Sequence, residues 1–282
     1  MALDLRGRVD RVADRVPPLA YALRVIDRYN DIHGNVNANS ITLTAFLALF
    51  AVTLLAVALI GFLDATNVNV AKEITNALGL SGDAAKVVTN AVDTARKSAR
   101  FASIVGFIGV VTIGTSFSNA IGTAYNVCWE VKGRGVIDRV RGLVWLAGIG
   151  VCFSAGVVLT NWWTNLPTWL APFLAIFTVA INAVAWAFTS WWLPNRRVTF
   201  RAMLPAALVG AVMLEALKLA AGIWVPRLIN NASELWGAIG VVFAIIAWIL
   251  VFGRVVVYVA VIEVLEAERL GHKPPPGTNL LP

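Results

Sequence analysis

Six apolar runs constrain this chain more than any other feature. They cover about 41–63, 101–124, 137–160, 168–193, 202–224 and 236–262 of the 282 residues. A bilayer has a hydrocarbon core about 30 Å thick, and a helix rises about 1.5 Å per residue, so about 20 apolar residues cross it. Hydrocarbon offers no partner to a backbone N–H or C=O, so each run must satisfy its own hydrogen bonds as a helix. The expected fold is therefore all-α: a polytopic membrane helical bundle with six transmembrane helices. Composition agrees. The chain is 59% hydrophobic and 14% charged, whereas soluble domains are about 45–50% apolar and about 25% charged.

The basic residues give an orientation. Fifteen Lys and Arg outside the spans or at their flanks fall on one side, including Arg6, Arg8, Arg24, Arg134 and Arg196. Six fall on the other, five of them in the loop over 64–100. Cytoplasmic segments hold the positive excess, so both termini are expected in the cytoplasm. The net charge of +7 then reflects topology and anionic headgroups, and no nucleic-acid partner is expected. Trp162, Trp163 and Trp169 flank one membrane face, and Trp191 and Trp192 the other, as interfacial belts do.

The expected organisation has three parts. Residues 1–40 form a cytoplasmic segment, with an interfacial helix presenting Leu19, Leu23, Ile26 and Tyr29 or Asn30; Gly34 and "NVNANS" end it, and Ser40 can cap the first span. Residues 41–263 form the membrane domain, whose outer loop over 64–100 reads as two short amphipathic helices. Residues 264–282 form a disordered cytoplasmic tail around "PPP". No cleavable signal peptide is read at the start. Cys128 and Cys152 lack the spacing of a disulfide or metal framework, and Cys152 reads as a small residue of its helix. Gly148, Cys152 and Gly156 are expected at helix contacts.

Charges inside the spans mark the candidate site. "LEALKLAAG" carries Glu215 and Lys218 three residues apart, on one helix face. That face continues through Leu208, Ala211 and Gly222 and is expected to point into the protein. Arg254 lies within the sixth span and Glu263 at its end. The second span carries Thr112, Thr115, Ser116, Asn119, Thr123 and Asn126 as a polar stripe, and the fourth adds Thr178 and Asn182. Two readings fit. These groups line one hydrated cavity, because buried polar groups need partners or water. Alternatively, Glu215 and Lys218 form a structural pair, the hydroxyls bond back to their own helices, and Arg254 snorkels to the interface.

Three stretches resemble one family. "GNVNANSITLTAFLALFAVTLLAVALIGFL" is similar to the first span of the YihY/BrkB family of bacterial inner-membrane proteins, which has YhjD-like members. "FRAMLPAALVGAVMLEALKLAAGIWV" is similar to a second family pattern, with Glu215 and Lys218 on its acid and base. "ELWGAIGVVFAIIAWILVFGRVVVYVAVIEVLEAER" is similar to a third, with Trp236, Gly237, Trp248 and Glu263 on its marked positions. Trp236 stands for the usual Tyr, Val261 and Ile262 for Gly–Ala, and Arg254 has no counterpart. The resemblance implies a six-span inner-membrane bundle. It also implies a link to envelope integrity, serum resistance, and lipid or lipopolysaccharide export; an older ribonuclease label exists.

The expected function is a transporter or export-associated protein for a lipid or amphiphilic anion, located in the bacterial inner membrane. Glu215, Lys218, Arg254, Asn119, Asn182 and Glu263 are the expected binding residues, and membrane lipids or an amphiphilic substrate the partners. The alternatives are an ion-coupled carrier of small solutes and a non-transporting scaffold that engages envelope proteins. No enzyme is expected. Nucleases and other hydrolases use clustered carboxylates or His for metal, and His33 and His272 are isolated. No cofactor is expected either, as no phosphate loop or nucleophile motif occurs.

Overall fold

The structure is a computed structural model that describes residues 17–62, 75, 82, 85–86, 89–90, 99–163, 171–196 and 198–271. Among these residues it is all helical. The elements are α1 (Pro17–Asp31), α2 (Gly34–Phe62), α3 (Ala99–Cys128), α4 (Val136–Trp163), α5 (Ala171–Trp192) and α6 (Phe200–Arg269). Most of the loop over 64–100, the side chains of Trp162, Trp163 and Trp169, and the tail from His272 lie outside the described residues.

Among the described residues, four helical stretches are long and apolar enough to cross a membrane: Gly34–Leu54, Ile104–Cys128, Phe200–Leu228 and Ile239–Arg269. A shorter apolar stretch, Ile176–Trp192, lies in α5. Large apolar side chains such as Phe107, Phe153, Ile176 and Phe243 are more than half exposed. That is a surface suited to lipid and not to water.

The last stretch is the axis of the bundle. Of its most apolar 18-residue segment 39% is buried, against 22% for each of the other three. Val256, Val257, Val259, Val261 and Val264 are 0–1% exposed. A helix apolar on every side belongs inside. Here burial outweighs the modest helix penalty of β-branched side chains. Around this axis stand α1, α2, α3 and α5, while α4 packs against α3 and α5.

Close approach depends on small residues. At Gly253 an added Cβ would lie 2.7 Å from the Ala38 carbonyl oxygen and 2.9 Å from Thr42 Oγ1. This is where α6 crosses α2. The first half of α6 uses the same device against α5: a Cβ at Gly210 would lie 2.9 Å from the Trp186 ring. Gly148 of α4 meets Phe188 at 2.6 Å in the same sense, as expected for a contact position, whereas Gly156 has open space beside it.

Three boundaries differ from expectation. The turn after α1 is made by Ile32 and His33 (φ 52), and "NVNANS" is the first turns of α2, with Ser40 inside the helix. The α1 face that packs inward carries Val25 and Tyr29, whose ring stacks on Tyr258 at 4.3 Å; Ile26 is 45% exposed. A residue one step from Val25 is turned 100° away, which separates them. The "VPRLINNASEL" link is helical, and the break falls at Gly237 (φ 58, ψ −140), a conformation that a side chain would strain. The helix also runs past 263 to Arg269, where Gly271 (φ 81) stops it.

Gly253→Val should lower stability by about 1–3 kcal/mol, since a backbone carbonyl cannot move aside. Gly150→Val, with open space beside it, should change it by less than about 1 kcal/mol. Thermal unfolding in detergent by circular dichroism separates the two; equal Tm values would refute the α2–α6 contact.

Candidate functional site

The polar residues singled out in the sequence separate into distinct places. The first is on α5 and α6. Glu215 Oε1 accepts a hydrogen bond from Asn182 Nδ2 and another from Lys218 Nζ, the latter at 2.9 Å. The Glu215 side chain is 22% exposed and that of Lys218 47%. Asn182, Glu215 and Lys218 are thus brought together as expected. Their face is not an inward one, however. The buried stripe of this half-helix is Ala202, Ala206, Ala207, Gly210 and Ala211, while Leu208, Lys218 and Gly222 are exposed. At 3.6 residues per turn, the 208–222 row runs along the edge of the α5 contact. Glu215 is therefore mostly covered and Lys218 opens outward.

The second place is fully buried. Glu263 is 0% exposed, and its Oε1 accepts the indole N–H of Trp129 at 3.2 Å. Ser190 faces the same carboxyl. Its hydroxyl lies 3.5 Å from that of Tyr125. Oε2 has no hydrogen-bond partner among the described residues. The Arg196 guanidinium stands over the Trp129 ring at 5.0 Å. The end of α3 aims the indole. Val131 N–H donates to the Asn126 carbonyl at 2.9 Å and Glu130 N–H to that of Val127 at 3.2 Å, with Glu130 at φ 54. This is a Schellman stop, and it turns Trp129 inward. Glu263 therefore joins α3, α5 and α6 and has no opening to a ligand.

The third place is the turn between α3 and α4, tied down by Asn195 from the α5–α6 connection. Asn195 N–H donates to Asn126 Oδ1 at 2.8 Å, and its Nδ2 to the Lys132 carbonyl at 3.2 Å and Asp138 Oδ2 at 3.1 Å. Its Oδ1 accepts from Arg141 Nη1 at 3.1 Å. Arg141 also donates to the Trp192 carbonyl, and Trp192 Nε1 returns a bond to the Arg141 carbonyl at 2.8 Å. Asn119 borders this region, not the Glu215 cluster. Arg254 is exposed, within electrostatic reach of Tyr29.

Among the described residues, these groups do not line one shared cavity. Thr112, Thr115 and Ser116 donate to the carbonyls of Ile108, Val111 and Thr112 in their own helix. Back-bonding satisfies such hydroxyls without water. No group of three or more His, Cys, Asp or Glu suited to a metal occurs among the described residues. Cys128 and Cys152 are free thiols.

Residues 25–279 match the family pattern described as "Virulence factor BrkB". The chain belongs to the BrkB family. It is 25% identical over 275 residues to an uncharacterized protein of Dickeya dadantii (strain 3937), covering 87% of this chain and 82% of the relative. It is 22% identical over 275 residues to the inner membrane protein YhjD of Escherichia coli (strain K12), covering 87% and 80%. No solved structure matches it. With its apolar helices, this BrkB-family chain is a membrane protein.

Nothing in the sequence alone marks Trp129, Ser190 and Asn195 as contact residues. A Trp just past an apolar run reads as an interfacial belt residue. Asn195 lies in a short polar link where turn residues are ordinary.

Trp129→Phe removes the donor from a buried carboxyl and should cost about 1–3 kcal/mol. Trp191→Phe, at a side chain 59% exposed, should leave Tm nearly unchanged. Equal Tm values for the two variants would exclude the Glu263 contact as a structural tie.

Proposed function

We propose that the protein is a six-span, multi-pass protein of the bacterial inner membrane, with both termini in the cytoplasm. It acts as a transporter or export-associated protein for a lipid or amphiphilic anion, and it is not an enzyme. The basic asymmetry supports the orientation. The relative named as an inner membrane protein supports the location. The lengths of α4 and α5, 28 and 22 residues, support two spans beyond the four long apolar stretches.

The observation that carries the functional reading is the half-open Glu215–Lys218 pair. It interrupts the apolar stretch Phe200–Leu228. A charge at bilayer depth costs about 2.5–3.5 kcal/mol or more, so an outward-opening one needs a counterpart. Among the described residues, both hydrogen bonds to Glu215 fall on Oε1. Oε2 and the remaining Lys218 protons are left for an anionic headgroup or its hydroxyls, while acyl chains lie on the exposed apolar flank. Asn182 positions the acid. Membrane lipids or an amphiphilic substrate are the partners, and nucleic acid is not.

A second reading is favoured by the same 2.9 Å pair. Glu215 and Lys218 then neutralise each other, and the protein is a scaffold for envelope proteins. Vesicles reconstituted with the protein and a fluorescent anionic phospholipid distinguish the two. Wild type should move the lipid. Glu215→Gln with Lys218→Met should slow it about tenfold or more, as expected for losing charge-assisted contacts of about 1.5–3 kcal/mol, at unchanged Tm. Equal rates in protein and protein-free vesicles would leave the scaffold reading, and a flux that depends on pH or sodium would indicate an ion-coupled carrier.

A further inference from the structure

On the basic side of the bundle, the end of α3, the 131–135 turn and the first turn of α4 enclose a cleft of about 580 Å³. This volume suits a small ligand or a headgroup. Two cations line it, Lys132 and Arg139, and neither side chain has a hydrogen bond or ion pair among the described residues. The neighbouring arginines are otherwise engaged: Arg134 donates to the Asn195 carbonyl at 3.4 Å, and Arg141 to Asn195 and Trp192.

Asp138 also lines the cleft, and it answers the cations only in part. Its Oδ2 accepts from the Arg134 backbone N–H at 2.6 Å and from Asn195 Nδ2 at 3.1 Å. Its Oδ1 is buried with no hydrogen-bond partner among the described residues. A buried acceptor without a donor is unfavourable. The cleft thus presents two uncommitted cations, which suit an anion, and one orphaned carboxylate oxygen, which suits a hydroxyl or an ammonium. The amide of Asn119 supplies further neutral hydrogen-bonding capacity. Gly135 (φ 63) beside it leaves the backbone uncovered.

We infer that this cleft binds a phosphate ester that also carries a hydroxyl or ammonium group, with the phosphate between Lys132 and Arg139 and the donor on Asp138. Two sources offer that chemistry: a phospholipid headgroup and a soluble phosphate ester. The flank favours the lipid. The turn that supplies Asp138 and Arg139 exposes Val136, Ile137 and Val140 by 73%, 56% and 57%, and acyl chains can lie there. The inference does not rest on the Glu215 cluster, since a protein that moves nothing across the bilayer can still hold a headgroup.

The test uses the full chain in nanodiscs and native mass spectrometry. Phosphatidylcholine, whose headgroup has no hydrogen-bond donor, is the host lipid, with phosphatidylglycerol as the probe. Wild type should retain phosphatidylglycerol over phosphatidylcholine by about tenfold or more, the scale of charge-assisted contacts. Lys132→Gln with Arg139→Gln should abolish that preference. Thr123→Trp keeps both charges but fills the cleft, and should abolish it too; this variant decides the matter should the double variant fail to fold. Glycerol 3-phosphate added to detergent-solubilised protein gives the second arm. Binding of it by wild type and not by the variants, with no lipid preference, assigns the same site to a soluble ester. Equal retention of lipid and equal binding of glycerol 3-phosphate by wild type and variants would overturn the inference.

Discussion

The contact between Glu263 and Trp129 fixes how the helices of this protein meet. A carboxyl with no exposed surface must have partners. Those partners come from the ends of α3 and α5, so the end of α6 has one register against both. The Schellman stop at Glu130 aims the indole, and Arg196 covers the ring. The valines of α6 supply apolar area but little direction. A helix apolar all round could rotate among its neighbours at small cost, and one buried polar contact removes that freedom. Small residues then set the spacing, as Gly253 does against Ala38.

Polar groups in the remainder of the bundle divide by what satisfies them. Hydroxyls on α3 return to their own helix. Asn195 satisfies the α3–α4 turn from a different segment. Among the described residues, two places with polar groups open to a ligand stand out: the Glu215–Lys218 pair within an apolar stretch, and the Lys132–Arg139 cleft on the basic side. They are separate sites, on separate helices. A protein that handles amphiphiles has a physical use for both, because an amphiphile presents a charged end and an apolar one.

How much was legible can be judged residue by residue. The apolar runs showed the helices because hydrocarbon length and backbone satisfaction are local demands. Asn182 and Glu215 both stand out in the sequence, since polar atoms are conspicuous in apolar runs. Their hydrogen bond was not readable, because it links residues 33 apart on two helices. The inward direction expected for Lys218 failed for a related reason. Periodicity gives which residues share a face, but not which face a neighbour covers. Glu263 is conspicuous in the sequence as an acid, but its hydrogen bond from Trp129 is not, because the two lie 134 residues apart.

The sequence by itself determined an all-helical membrane chain of this family, its apolar stretches, and the residue types available for polar contacts. Each of these follows from interactions between a segment and its solvent, or within one helix. Tertiary structure alone decided that α6 continues as helix to a break at Gly237, that the second half of α6 is the axis, and that the intramembrane polar residues split into separate places. Those outcomes depend on which helices lie side by side and at what rotation. Long-range packing and single hydrogen bonds set that, and neither leaves a periodic mark in the chain.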